Sequence, residues 1–194
     1  MNLILIRHGE TKWNLENRYQ GILDSNLTIK GKQQVKSNAQ KLLNHFKNFN
    51  NIKIFSSPLN RAKNSAYIIC DELEIDRAKI IFDDRLKEFN YGIFEGKTKD
   101  ECNRIYPKIL EDRESNKWSY QIEGGESYIK VANRLKEFIK IVQNEKIVII
   151  IAHEMVNRVL RGLYLNLSND KILQLRQSND MIINLCNGVE VELK

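Results

Sequence analysis

Two uninterrupted apolar runs constrain the fold of this chain more than any other feature. Residues 3–6 read LILI, and residues 147–152 read IVIIIA. A strand is apolar at every position when helices cover both faces of its sheet, whereas a strand with one solvated face alternates apolar and polar residues. The two runs therefore predict central strands of a mostly parallel sheet. Even the longer run is far short of the about 20 residues that a membrane-spanning helix needs.

The segments between these runs supply the helices that such a sheet requires. Apolar helical stripes follow Thr28 and Ser127, and both residues are suited to cap a helix N-terminus. NIKIFSS predicts another strand, after which Pro58 suits the first turn of a helix. The dipeptide Asn187–Gly188 predicts a closing hairpin. We expect one α/β domain over residues 1–194, a three-layer α/β/α sandwich with a mostly parallel mixed sheet.

Composition and charge limit which classes of binding partner and which compartment we expect for this protein. The net charge of +6 is spread over runs of mixed sign, which argues against nucleic acid. Three widely spaced cysteines match neither a zinc site nor a redox pair and fit a reducing compartment. The N-terminus lacks the apolar core of a signal peptide. We expect a cytoplasmic protein with no nucleic-acid or membrane partner. The apolar segment 159–165 and the closing hairpin leave a homodimer open.

Polar residues follow three apolar runs at the point where each predicted strand ends. The carboxyl ends of parallel strands meet at one edge of a sheet, where ligands bind. This edge would gather Arg7 and His8 from the first run, Ser56, Ser57 and Arg61 from the second, and His153 from the third. The third histidine, His45, lies on a predicted helix and is expected at the surface.

Two arginines and two histidines in one crevice predict an anion, and phosphate fits best. The planar guanidinium fork binds two phosphate oxygens at once and stays charged at any working pH. The helix starting at Pro58 would add backbone amides. The simpler alternative is that each strand end carries an unrelated surface charge, but site hypotheses gain weight when several such groups converge.

The sequence also limits what can be done to that phosphate. It has no G-x-x-x-x-G-K-[ST] loop. The segment HEMVN departs from the zinc motif H-E-x-x-H because Asn157 takes its fifth position, so we expect no metal and no cofactor. Direct attack by an imidazole remains. His8 would attack as the neutral form, favoured by nearby cations, with its other nitrogen donating to a backbone carbonyl. Gly9 would let phosphate approach.

Five ordered motifs resemble those of the histidine phosphatase superfamily, which includes cofactor-dependent phosphoglycerate mutases and small phosphatases. They are LIRHGETKWN, NRYQGILDSNLTIKGKQQ, SSPLNRAKNSA, RLKEFNYGIFEGK and GGES, followed by the strand ending in His153. The resemblance implies that His8 becomes phosphohistidine, and that Glu88 protonates the leaving alcohol and then activates water. It implies a phosphate pocket of Arg7, Arg61 and His153 with a hydrogen bond from Asn14, and places Gln20 and Gly21 where substrate meets the loop.

The resemblance favours hydrolysis of a small phosphate ester without metal, because the span from Glu88 to His153 is more compact than in the mutases. A cofactor-dependent phosphoglycerate mutase is the alternative, and a non-catalytic phosphate-binding module is a third. The segment 102–123 would set substrate identity, and its part over 111–125 is the least regular of the chain. Within it we expect Trp118 and Tyr120 to cover the core.

One residue departs from the family pattern. Glu154 follows His153 where most members have glycine. It could repel the phosphate, or it could point away as the first residue of a helix, where its charge suits the positive end of the helix dipole. We expect the second, and therefore expect Glu154→Gly to change turnover by less than about tenfold.

Overall fold

A six-stranded mixed sheet organises the computed structural model, which describes all residues 1–194. The strands are β1 (Asn2–Arg7), β2 (Ile52–Ser56), β3 (Ile80–Phe82), β4 (Ile147–Ala152), β5 (Ile182–Cys186) and β6 (Val189–Leu193). They lie in the order β3-β2-β4-β1-β5-β6. Strands β1 to β4 are parallel, β5 runs antiparallel to them, and β6, which pairs antiparallel with β5, runs in the same direction as β1 to β4. The mostly parallel mixed sheet predicted from the apolar runs is confirmed.

Helices cover both faces of this sheet. They are α1 (Lys12–Leu15), α2 (Ile29–His45), α3 (Asn60–Glu72), α4 (Lys99–Ile105), α5 (Pro107–Ser115), α6 (Tyr128–Val142), α7 (Glu154–Tyr164) and α8 (Asn169–Gln174). Ile4 and Ile6 pack with α2 and α3, whereas Leu3 and Leu5 pack with α6 and α7. Alternate residues of β1 thus pack into the hydrophobic cores on opposite faces of the sheet, which is why the run is apolar throughout. No helix combines the length and apolarity needed to cross a bilayer.

Local sequence signals set several element ends as predicted. The Thr28 side chain accepts a hydrogen bond from the Gly31 amide at 2.9 Å and caps α2. Ser127 caps α6 in the same way through the Lys130 amide. Asn187 and Gly188 both have positive φ, 52° and 75°, and form the β5–β6 turn. These ends were predictable because each depends on residues only a few positions apart.

Two local expectations are wrong. Helix α3 begins at Asn60 with Leu59 as its N-cap, so Pro58 precedes the helix rather than starting it. The stretch expected to be irregular contains most of α5, which starts at Pro107 and runs to residue 115. The buried residue of α5 is Arg113. A helix without an apolar stripe gives no periodic signal, which explains why the pattern did not reveal it.

Candidate active site

A cleft with a volume of about 540 Å³ opens where β1, β2 and β4 end. Seven of the residues expected at the site line it: Arg7, His8, Asn14, Gln20, Gly21, Arg61 and Glu88. The eighth, His153, is fully buried behind this surface, with its ring centroid 5.2 Å from that of His8. His45 is exposed, far along α2, as expected. The strand register therefore gathers the residues that the sequence distributes over 147 positions, from Arg7 to His153.

His8 is held in one tautomer. Its Nδ1 lies 2.7 Å from the carbonyl oxygen of Gly9. Because that oxygen can only accept, the proton sits on Nδ1 and Nε2 keeps its lone pair. Burial, assisted by the charges of Arg61 and Arg7, lowers the pKa of His8 well below 6.5. The ring is thus neutral near pH 7 and carries a free nitrogen that can attack an electrophile.

His153 is fixed from behind by a serine. Its Nε2 lies 2.8 Å from the hydroxyl oxygen of Ser57, and its buried Nδ1 has no hydrogen-bond partner. Burial, then the charge of Arg61, lowers the pKa of His153 well below 6.5. Ser57 directly follows β2, and its hydroxyl also accepts from the Leu59 amide at 3.3 Å. It therefore orients His153, a role that its sequence position alone did not reveal.

The guanidinium of Arg61 is almost completely buried and is held by the loop before α2. Its Nη2 donates to the Gly21 carbonyl at 2.6 Å, and its Nη1 donates to the Leu23 carbonyl at 2.7 Å and to Asp24 at 2.8 Å. Nε is buried without a partner. Burial lowers the pKa of Arg61, and Asp24 and Glu88 oppose that effect. The side chain is a rigid cation with unused hydrogen-bonding capacity.

Asp24 also occupies the start of α3. Its carboxylate accepts from the Asn60 amide at 2.7 Å and from the Arg61 amide at 3.3 Å. The expectation that this helix offers its first amides to phosphate is therefore wrong, because a side-chain carboxylate already satisfies them. Asp24 gave no sequence signal, since its partners lie 36 and 37 positions away.

Glu154 turns into the cleft rather than away from it. It begins α7 as expected, but its carboxylate lies 3.1 Å from Nη1 of Arg7 and 3.1 Å from Nη2 of Arg158. Both contacts and its place on the cleft wall contradict the expected outward orientation. The expectation rested on the helix dipole, which acts on any residue of the first turn. Two arginines close enough to pair with the carboxylate give a larger attraction.

Glu88 is a buried carboxyl group at the same cleft. Its Oε1 accepts from the Phe89 amide at 2.8 Å. Burial is the main cause that raises the pKa of Glu88, and the charge of Glu154 acts in the same direction, whereas the Phe89 amide and Arg61 oppose it. Arg134 of α6 donates to the Glu88 carbonyl at 3.3 Å and fixes the backbone there. The result is a carboxyl that keeps its proton longer than in water.

The loop residues at the cleft wall differ in their free hydrogen-bonding atoms and in their backbone conformation. The Asn14 side-chain oxygen accepts from the Thr11 amide at 3.0 Å, which leaves its side-chain amide nitrogen free. Gln20 has a buried side-chain oxygen without a partner. Gly21 has a φ of +56°, and a Cβ there would lie 1.8 Å from the Glu95 carboxylate. Glycine is required at position 21 by backbone conformation and close contact.

Gly9 has a packing role in addition to the one expected. A Cβ at Gly9 would lie 2.2 Å from the carbonyl oxygen of Gly31, in the first turn of α2. The loop after β1 packs directly on the backbone of that helix. This close approach of two backbones requires glycine at position 9 independently of any approach of phosphate.

A segment near the C-terminus supports both residues at the end of β1. Nη1 of Arg7 donates to the Gln177 carbonyl at 2.9 Å, and the Asn179 side chain donates to the His8 carbonyl at 2.6 Å. The Gln177 side chain in turn accepts from Asn157 of α7 at 2.9 Å. Sequence reasoning missed these supports because the pairs are separated by 170 and 171 positions.

The segment 102–123 contributes charge to the cleft. Trp118 stacks on Tyr128 with centroids 5.8 Å apart and packs against the core, as does Tyr120. The expectation that these aromatics cover the core is confirmed. The residues of this segment that line the cleft are Arg113, Glu114 and Lys117.

With this geometry established, comparison with known proteins identifies the class. The family model for the histidine phosphatase superfamily (branch 1) matches residues 3–186. The chain belongs to this superfamily and is an enzyme of the histidine phosphatase class. The resemblance read from the five motifs is confirmed.

Three relatives illustrate the range within the family. "Phosphoserine phosphatase 1" of Hydrogenobacter thermophilus is 32% identical over 163 residues, covering 82% of this chain and 74% of that protein. "Probable phosphoglycerate mutase GpmB" of Escherichia coli is 38% identical over 125 residues, 64% of this chain and 51% of that protein. The solved structure of Bacillus stearothermophilus YhfR is 30% identical with a TM-score of 0.79, covering 98% and 94% of the two chains. Both a phosphatase and a mutase name occur among them.

Proposed function

We propose that this protein is a metal-independent phosphomonoesterase that hydrolyses a small phosphorylated metabolite through a phosphohistidine on His8. The observation that carries the proposal is the hydrogen bond from His8 Nδ1 to the Gly9 carbonyl, which leaves Nε2 unprotonated in a cleft that Arg7 and Arg61 also line. A neutral imidazole is a nucleophile only at its unprotonated nitrogen. An anionic phosphoryl group is attracted to the same place by Arg7 and Arg61.

In the first step, Nε2 of His8 forms a bond to phosphorus while the bond from phosphorus to the ester oxygen breaks. Arg7, Arg61 and His153 surround the oxygens whose charge grows in the transition state, and Asn14 can donate from its free amide nitrogen. Glu88 gives its proton to the departing ester oxygen, because an alkoxide is too basic to leave unaided. Its raised pKa keeps that proton available.

In the second step, water attacks phosphorus and the bond to His8 breaks. Glu88, now ionised, takes a proton from the water. Inorganic phosphate leaves, and Nε2 of His8 regains its lone pair. Each group thus returns to its starting state, and the balance needs neither a metal ion nor a redox partner.

The outer cleft favours a substrate that carries further negative charge. Lys99, Arg113 and Lys117 line it, and Arg113 is 5% exposed. One carboxylate, Glu114, pairs with both Arg113 and Lys117, so the group keeps a net positive charge. Gln20 and Gly21 shape the opposite wall. A carboxylate or second phosphate on the substrate would be attracted here.

Phosphoglycerate mutase activity is the second candidate, since one relative bears that name. The chain spans about half the length of that relative. A mutase must keep the phosphohistidine from water while its substrate reorients. The cleft of this protein is open, and water that reaches it would hydrolyse the intermediate, which favours phosphatase activity over the mutase.

The test is phosphate release from a panel of phosphomonoesters by the wild type and His8→Ala in EDTA, with 3-phosphoglycerate and 2,3-bisphosphoglycerate included. Release that survives EDTA and is lost by more than about 10³-fold in His8→Ala is expected. Interconversion of phosphoglycerates without phosphate release would favour the mutase. Phosphate binding with neither activity would favour the non-catalytic module.

We also propose that residues 1–194 act as one domain in the cytoplasm. Three free cysteines, with Cys70 and Cys102 buried, suit a reducing compartment. Exposed Val189 and Val191 on the edge strand β6 leave room for a homodimer. Sedimentation equilibrium measures the assembly directly.

A further inference from the structure

Glu154 pairs directly with Arg7 of the phosphate site, as Asp24 pairs with Arg61. Its two oxygens contact different arginines, Arg7 at the end of β1 and Arg158 one turn along α7, each at 3.1 Å. Arg158 is 5% exposed at its side chain and also donates to the Tyr128 hydroxyl at 3.0 Å. The carboxylate therefore links β1 to α7, and Arg158 extends this link to Tyr128 of α6.

The contacts of Arg7 show what this bridge does. Both of its protein partners, the Gln177 carbonyl and the Glu154 carboxylate, contact Nη1. Nε is buried without a partner, and no protein group accepts a hydrogen bond from Nη2. One edge of the guanidinium is thus held by the protein, while the Nε–Nη2 edge keeps the two parallel donors that bind an oxyanion bidentately.

We propose that Glu154 is a positioning residue: its carboxylate clamps Nη1 of Arg7, so that the free edge of the guanidinium is fixed for the transferring phosphoryl group. This inference rests on the proposed phosphoryl-transfer function. It replaces the expectation that Glu154→Gly changes turnover by less than about tenfold, because removal of the clamp leaves Arg7 held by a single carbonyl.

A fixed arginine matters more for the transition state than for bound phosphate. Orthovanadate adopts the five-coordinate geometry of the transferring group, whereas inorganic phosphate is tetrahedral, so the two ions report on the two states. Glu154→Gln leaves one acceptor oxygen for two arginines, so it disrupts the clamp, and it also removes a negative charge that repels any anion. For phosphate, loss of the repulsive charge strengthens binding while misorientation of Arg7 weakens it, so the two effects on affinity oppose each other. For vanadate, misorientation of Arg7 has the larger effect on affinity.

The test measures the dissociation constants of both ions by calorimetry, which requires no turnover. In Glu154→Gln we expect vanadate to bind about tenfold or more weakly, and phosphate to change by less than about threefold. Glu154→Asp keeps the charge but is one methylene shorter, and should lose vanadate affinity similarly. Glu190→Gln is the matched control, because Glu190 pairs with Arg161 of the same helix away from the cleft. It should leave both constants unchanged.

The pH dependence of activity distinguishes the effect of the Glu154 charge from the effect of its side-chain length. Glu88 faces Arg61 and Arg7, which favour its ionised form, and Glu154, which disfavours it; Tyr91 and Tyr128 lie nearby. With an alkyl phosphate, the loss of activity at high pH should move to lower pH in Glu154→Gln and stay in place in Glu154→Asp. A structural role alone would lower thermal stability without this difference.

Each possible result either supports or overturns the proposed role of Glu154. Unchanged vanadate affinity in both Glu154 variants overturns the clamp, as does an equal loss for vanadate and phosphate. If Glu154→Gln fails to fold, the Asp variant supplies the result. If the wild type hydrolyses no ester but the vanadate preference depends on Glu154, the proposed function fails while the clamp stands.

Discussion

The chemistry at residue scale depends on keeping a proton on Glu88. Its carboxyl is 8% exposed and accepts one amide hydrogen bond, and burial is the leading cause of its raised pKa. Glu88→Gln removes the proton donor and keeps the shape. We expect hydrolysis of an alkyl phosphate to fall by about 10²-fold or more. p-Nitrophenyl phosphate, whose leaving group needs no proton, should fall far less at the phosphorylation step, which rapid-quench kinetics measures. Equal losses would remove Glu88 from the acid role.

The same carboxyl sets a direction for the pH dependence. An acid must be protonated to act, so activity is present below the pKa of Glu88 and is lost as pH rises through it. Because that pKa is raised, the loss occurs at higher pH than for an ordinary glutamate. We expect a descending limb of kcat/KM for an alkyl ester that is absent with p-nitrophenyl phosphate. A descending limb shared by both substrates would assign it to another group.

At the scale of elements, Asp24 links the loop before α2 to the start of α3. It neutralises Arg61 and caps two amides. Asp24→Asn keeps a capping oxygen but loses the charge, leaving a buried cation with carbonyl partners only. We expect the free energy of unfolding to fall by about 1–2 kcal/mol, with part regained in saturating phosphate. Denaturant unfolding measures this. Asp71→Asn, whose partner Arg77 is half exposed, should cost much less than Asp24→Asn.

The contact between the β1–α1 loop and α2 makes a second prediction at this scale. Gly31 lies inside a helix, where alanine normally stabilises by about 0.5–1 kcal/mol. A Cβ there would lie 2.1 Å from the Glu10 carbonyl oxygen. We therefore expect the opposite sign for Gly31→Ala, a loss of about 1–3 kcal/mol, with reduced turnover because the loop carries Gly9. Ser37→Ala, exposed on the same helix, should be neutral or slightly stabilising. An increase in the free energy of unfolding of Gly31→Ala would show that the β1–α1 loop moves away from the added methyl group at little cost.

These elements also show what the sequence could reveal. Strands β1 and β4 were predictable since burial on both faces leaves an uninterrupted apolar run. Caps such as Thr28 were predictable because the cap and its amide are three residues apart. Helix α5 was missed because its buried residue is a charged one. Site residues at strand ends followed from the topology, whereas Asp24 and Gln177 act on partners that only the folded chain brings near.

At the scale of the whole molecule, the fold concentrates positive charge in one place. The net charge is +6, and carboxylates neutralise some of the surface cations in pairs such as Arg77–Asp71 and Lys36–Glu72. The cleft differs because Arg7 and Arg61 each retain donors without protein partners. Folding therefore creates an attractive site for anions at the end of the sheet, and bound phosphate should stabilise the folded state.

This concentration of charge predicts how stability depends on pH. His8 and His153 are buried with pKa values well below 6.5, so below pH 6.5 the unfolded chain binds protons that the folded chain does not. The free energy of unfolding should therefore fall as pH drops from 7.5 toward 5. Thermal unfolding should show this decline, shallower in His8→Gln because one of the two buried histidines is gone. His45→Gln, on the surface, should decline like the wild type. Phosphate at 100 times its Kd should restore about 2.7 kcal/mol at each pH where it binds. A decline as steep in His8→Gln as in the wild type would mean that carboxylates, rather than the buried histidines, carry the acid sensitivity.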